Sequence, residues 1–115
     1  MTTSTTDVSV AAKLFRGLGD PTRLSILLAL VERELRVTDL VAELGGSQGN
    51  ISGHVGCLRE CGLIVARPEG RQTFYRVAGP EIVSLLRAGE TVLARTGTEV
   101  TLCPNYVNEQ GPSDG

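Results

Sequence analysis

The 115-residue chain is expected to fold as one mainly α-helical domain carrying a single small β-hairpin, an α+β arrangement. Three observations predict it. Apolar residues recur at helical spacing in five separate stretches. Two β-like runs, residues 63–67 and 72–77, flank the turn-forming Pro68-Glu69-Gly70-Arg71. The apolar fraction, 41%, is mostly aliphatic, with no Trp and only two Phe and two Tyr, a composition that suits packed helices.

Each element follows from local chemistry. Residues 1–9 begin with a Ser/Thr-rich stretch and are expected to be a flexible N-terminus. Ala11, Leu14, Phe15 and Leu18 form a helical stripe that Gly17 and Gly19 are expected to break. Asp20-Pro21 restarts the helix, with Asp as N-cap and Pro where its missing N–H costs nothing. Leu24, Leu27, Leu28 and Val31 follow at i, i+3, i+4 and i+7, and Ile26 and Leu30 widen the stripe. Thr38 can cap a short helix bearing Leu40, Val41 and Leu44, which Gly45-Gly46 ends.

Ser47 can cap the next helix, from Gln48 to about Cys61, with Ile51, Val55 and Leu58 inward and Gly62 as its C-terminal stop. Two short helices joined by a tight glycine turn make a helix-turn-helix, and a hairpin directly after one is a wing. Pro80 opens a last amphipathic helix with Ile82, Leu85, Leu86 and Leu93 on one face. Residues 10–95 are therefore expected to form a winged helix-turn-helix domain. Residues 96–115, with Pro104 and Pro112 and no basic residue, form an irregular tail.

The net charge is −2, but residues 47–78 carry four arginines against two glutamates. One modestly basic segment on an acidic body is compatible with nucleic acid, because the local field faces the phosphates. No apolar run approaches the ~20 residues that cross a bilayer, and the N-terminus lacks a basic start and apolar stretch, so a cytoplasmic protein without membrane contact is expected. The single histidine has no nucleophile partner in evidence and no phosphate-binding glycine loop is present, which argues against an enzyme or an organic cofactor.

The helix opening at Ser47 presents Gln48, Asn50 and Ser52 near its N-terminus, the part of a recognition helix that meets base edges in the major groove. Gln and Asn pair bidentately with adenine, and Ser donates or accepts. Arg71 at the wing tip suits a phosphate or the minor groove. The bland reading, a capping Ser47 and merely solvated Gln48 and Asn50, stands beside this one. A winged helix that binds protein without DNA affinity also remains open.

The three cysteines are an odd number, and a reducing compartment keeps thiols free. Cys57 and Cys61 are four apart on the same helix, in one stripe with Asn50 and His54, off the face of Ile51, Val55 and Leu58. Adjacent thiolates hold soft metal ions. The tail adds Cys103, and three thiolates can close one site. Packing in a subunit interface and thiol redox sensing are the competing readings.

The block Leu18-Gly19-Asp20-Pro21-Thr22-Arg23-Leu24-Ser25-Ile26-Leu27, the run Ser47-Gln48-Gly49-Asn50-Ile51-Ser52-Gly53-His54, the segment Leu58-Arg59-Glu60-Cys61-Gly62-Leu63-Ile64 and the wing Gly70-Arg71-Gln72-Thr73-Phe74-Tyr75-Arg76 resemble the ArsR/SmtB family of metal-sensing repressors. The resemblance covers about residues 10–95. It implies a homodimer on double-stranded operator DNA, and it adds His54, a position where the family often has histidine, to the DNA-facing residues. Within Glu34-Leu35-Arg36-Val37-Thr38-Asp39-Leu40 the two cysteines of the family's common arsenic or cadmium motif are replaced, and the histidines of its zinc site are missing.

Cys57-Leu58-Arg59-Glu60-Cys61-Gly62-Leu63 is similar instead to the CmtR-like, cadmium/lead-sensing branch. In that branch the third cysteine comes from the partner subunit's tail. The resemblance thus implies Cys57, Cys61 and Cys103 as metal ligands and cadmium or lead as inducer. Mercury and trivalent arsenic also accept three thiolates.

Overall fold

The computed structural model describes residues 4–102. The chain divides into two compact units between Ala78 and Gly79. The first holds α1 (Thr5–Leu18), α2 (Pro21–Glu32), α3 (Val37–Leu44), α4 (Gln48–Glu60), β1 (Ile64–Glu69) and β2 (Gln72–Val77); the second holds α5 (Pro80–Arg95). The expected mainly α order with one hairpin is what folds.

Helix α1 starts earlier than the apolar stripe suggested. Ser4 caps it: its Oγ accepts from Asp7 N at 3.0 Å, and the Asp7 carboxylate accepts from Ser4 N. This reciprocal capping box satisfies two otherwise unpartnered amides. Gly17 does not break the helix but lies inside it, buried, because another element comes too close for a side chain. The break falls at Gly19-Asp20, where the Asp20 carboxylate caps α2 by accepting from Arg23 N at 3.0 Å. Arg23 then reaches back and donates to the carbonyls of Gly17 and Arg16, covering the free C-terminus of α1.

The cap of α3 is not Thr38. Arg36 stands at the N-cap, and its backbone N–H donates to Asp39 Oδ2 at 2.9 Å. Ser47 caps α4 as expected, accepting from Asn50 N at 3.0 Å. The other end of α4 is a Schellman turn: Leu63 N bonds Leu58 O and Gly62 N bonds Arg59 O, with Gly62 at φ 81°. That left-handed turn sends the chain directly into β1.

β1 and β2 pair antiparallel from Ile64 opposite Val77 to Glu69 opposite Gln72. Pro68 and Glu69 thus belong to the strand rather than the loop, and the turn shrinks to Gly70-Arg71. Gly70, at φ 63°, supplies the positive φ that a two-residue hairpin turn needs. Leu35 and Tyr75 exchange backbone hydrogen bonds of 3.1 and 2.9 Å, joining the segment before α3 to the hairpin.

The core of the first unit is aliphatic: Ile26, Leu27 and Leu30 of α2 meet Leu40, Ile51, Val55 and Leu58, closed by Leu63 and Ile64. The buried face of α2 is the one marked by Ile26, Leu27 and Leu30, while Leu24, Leu28 and Val31 are half-buried. In the second unit Ile82 and Leu86 are the buried positions of α5, and Leu93, placed on the same face by its spacing, is exposed. Val8, Val10 and Phe15 of α1 and Val92 of α5 are also large exposed apolar side chains. No helix among the described residues is long and apolar enough to cross a membrane.

Candidate nucleic-acid interface and thiol pair

The α3–turn–α4 pair and the hairpin present one polar surface. Gln48, the first residue of α4, and Arg71, at the wing tip, line the same open cleft of about 300 Å³ with Thr38, Thr73 and Tyr75. Both are exposed, as are Asn50 and Ser52. Asn50 borders a second, smaller hollow beside Gly45, Gly46 and Ser25. Ser47 has its Oγ committed to the helix cap. His54 is half-buried, and in the turn before α2 the Asp20 carboxyl is held below its ordinary range mainly by the Arg23 amide hydrogen bond. Helix α4 therefore leaves Gln48, Asn50 and Ser52 exposed, with His54 half-buried.

The basic segment is less free than its composition suggested. Arg67 donates to both Glu34 oxygens, at 2.7 to 3.1 Å, and to Glu69 Oε1 at 2.7 Å, while Arg76 lies 3.9 Å from Glu34. The Arg67 guanidinium also sits 5.0 Å from the Phe74 ring centre. These contacts raise the Arg67 pKa and, through Arg67 above all, lower that of Glu34. Arg36 is likewise held by Asp39, through two side-chain hydrogen bonds of 3.0 and 2.8 Å. Among the described residues, Arg71 and Arg59 enter no ion pair, so they are the cations of this segment available to a phosphate.

Cys57 is exposed on α4, and Cys61, the C-cap residue, is half-buried. The expectation that both thiols lie off the core face needs one correction, because Cys61 has its own neighbour. Its Sγ donates to Lys13 O of α1 at 3.1 Å. A Cβ on Gly17 would come within 3.0 Å of that Sγ. The sequence did not reveal this contact, and Gly17, read as a helix breaker, was its one visible signal. Cys103 lies outside the described residues. Among the described residues no three His, Cys, Asp or Glu side chains gather as a metal cluster. The donor set itself, two sulfurs one helical turn apart, is of the soft type that suits a heavy-metal ion.

A helix-turn-helix followed by a wing, with amide and hydroxyl side chains at the start of its second helix, defines a winged-helix DNA-binding regulator. The model of the bacterial regulatory protein, arsR family, matches residues 20–65. The chain is 45% identical over 84 residues to the HTH-type transcriptional regulator CmtR of Mycobacterium tuberculosis, covering 73% of this chain and 70% of that one. It is 31% identical over 104 residues to a probable mercury resistance operon repressor of Streptomyces lividans, covering 90% and 83%. The solution structure of a homodimeric winged helix-turn-helix DNA-binding domain from Mycobacterium bovis superposes with a TM-score of 0.70 at 27% identity, covering 77% and 82%.

The chain belongs to the ArsR family of bacterial regulatory proteins. It is a DNA-binding transcriptional repressor and not an enzyme.

Proposed function

We propose that this repressor is a cytoplasmic soft-metal sensor: a homodimer that blocks a dyad-symmetric operator and leaves it when cadmium or lead binds Cys57, Cys61 and Cys103. Mercury and arsenite are the other inducers that three thiolates accept. One observation carries the reading. The two thiols of α4 stand on the helix whose first turns present Gln48 and Asn50, so an ion held by them acts on the DNA-reading element itself. A CmtR and a mercury-operon repressor among the relatives support the same inducer class.

The exposed apolar side chains of α1 and α5, Phe15 and Val92 among them, are proposed to form the dimer. Two α4 helices then meet major grooves about one turn apart, ~34 Å. Arg71 contacts the backbone, and Gln48, Asn50 and Ser52 read bases. Cys57, Cys61 and Cys103 would hold the ion, which would supply soft Lewis-acid bonding to their thiolates. The chain's own contribution is to hold Cys57 and Cys61 in fixed helical spacing and to bring Cys103 on the tail of either subunit. Because thiols must lose their protons to bind, release is expected to be steeper at higher pH.

A mobility shift with the DNA upstream of the chain's own gene tests this reading. Release by cadmium at micromolar excess, with none by peroxide, is expected. Release by peroxide alone would assign the thiols to redox sensing, a use open to the exposed Cys57.

A further inference from the structure

Glu34 stands between α2 and α3, outside the hairpin, yet its carboxylate is engaged by the hairpin's arginines. Both oxygens accept from Arg67 Nε, at 3.0 and 3.1 Å, and Oε1 also accepts from Arg67 Nη2 at 2.7 Å. Arg76 Nε lies 3.9 Å from Oε2. Arg67 Nη1 donates to Glu69 in the same strand, so every nitrogen of this guanidinium faces a carboxylate. The pairs are not buried: the Arg67 and Arg76 side chains are 45% and 52% exposed. Exposed pairs add little to stability. What they change more is the field around the hairpin.

That field reaches the cleft lined by Gln48 and Arg71. Arg67 and Arg36 lie against one Phe74 ring, 5.0 and 5.8 Å from its centre, and are therefore within about 11 Å of each other. Arg36 lines the cleft. On the other side of Arg67, its partner Glu69 pairs across the hairpin with Gln72, which lines the cleft as well. The screening length is ~10 Å at 0.1 M salt, so a charge gained or lost at Arg67 is felt there.

We infer that Glu34 sets the sequence-independent part of this repressor's DNA affinity: by cancelling the charge of Arg67, with Arg76 beside it, it holds down attraction to phosphate. The inference rests on the reading of the Gln48–Arg71 cleft as the face that meets DNA. Cations bind phosphates whatever the bases, and each added phosphate contact steepens the fall of log K with log salt by about 0.9. The smaller this part is, the larger the share of affinity that depends on the uncharged side chains of α4. Glu34 need not touch DNA to have this effect.

Anisotropy titrations of the full-length protein test it, on the DNA upstream of its own gene and on unrelated DNA, at several salt concentrations. Glu34→Gln keeps an oxygen that accepts from Arg67 but cancels no charge. It is expected to bind both DNAs about five- to tenfold more tightly at 0.1 M salt, with both salt slopes steeper by about one and the ratio of the two affinities unchanged. Adding Arg67→Gln is expected to return both affinities to wild type. Glu34→Asp, which keeps the charge, and Glu99→Gln, which changes the net charge equally outside the hairpin, are expected to bind as wild type does. Unchanged affinity and slope in Glu34→Gln would overturn the inference. A loss on both DNAs would overturn it too, by showing that Glu34 serves to hold the hairpin in place. So would a gain that survives Arg67→Gln or that Glu99→Gln repeats. Gln48→Ala and Arg71→Ala keep the underlying reading apart. If both bind DNA as wild type does, the cleft is not the DNA face and the inference falls with that reading; losses in those two without a gain in Glu34→Gln remove the role of Glu34 alone.

Discussion

Cys61 Sγ donates a hydrogen bond to the Lys13 carbonyl at 3.1 Å, tying the end of α4 to a residue of α1 that lies 48 positions earlier in the chain. A thiolate held by a metal ion has no proton to give. The metal capture proposed for Cys61 would therefore break this tie to α1. Cys61→Ser keeps a hydroxyl donor in place, whereas Cys61→Ala removes it. Chemical denaturation at fixed protomer concentration is expected to show Cys61→Ser near wild type and Cys61→Ala less stable by about 0.5–1.5 kcal/mol.

Gly17 is where α1 and the end of α4 approach most closely. Gly17→Ala gains up to about 1 kcal/mol of helix propensity but drives a methyl to 3.0 Å from Cys61 Sγ and 3.2 Å from Leu63 Cδ1. Overpacking of this kind costs about 1–3 kcal/mol, so a net loss of about 1 kcal/mol is expected. Urea unfolding measures it. Adding Cys61→Ala removes the nearer of the two obstacles and is expected to recover part of the loss.

DNA affinity should separate the residues proposed to read bases from the one proposed to contact phosphate. Gln48→Ala and Asn50→Ala are each expected to weaken specific operator binding by about 1–3 kcal/mol and to leave binding to unrelated DNA almost unchanged. Arg71→Ala is expected to weaken both and to reduce the salt slope by about one. Anisotropy titrations at several salt concentrations distinguish these patterns.

Acid should loosen the start of α3. Hydrogen bonds from the Arg36 side chain and backbone lower the Asp39 pKa from 3.8 to about 2. The folded state therefore binds this proton less readily than the unfolded chain. The stabilisation is complete above about pH 4 and is lost as pH falls toward 2. Melting temperature over that interval is expected to drop more steeply in wild type than in Asp39→Asn, which has no carboxyl to protonate there.

Much of this fold is legible in the residues. Asp20-Pro21, Ser47 and Gly62 announce helix boundaries because caps and left-handed turns accept few residue types. Thr38 misled because Arg36 and Asp39 together cap α3 more fully than one hydroxyl does. The hairpin register escaped for a similar reason: Pro68 reads as a turn residue, yet it is tolerated in a two-stranded sheet, where every strand is an edge. At the candidate site, the cysteine spacing and the polar face of α4 followed from helical periodicity alone. The partners that lie far away in the chain did not. Lys13 beneath Cys61 and Glu34 across Arg67 are set by tertiary packing, for which one sequence offers no period to count.

The most direct test is cadmium titration of the operator complex with wild type and with Cys57→Ser, Cys61→Ser and Cys103→Ser, followed by fluorescence anisotropy. All four proteins are expected to bind the operator without metal. Cadmium is expected to lower wild-type affinity by about 5- to 150-fold and to leave each serine variant bound. Release of all three variants at the wild-type cadmium concentration would contradict the three-thiolate trigger.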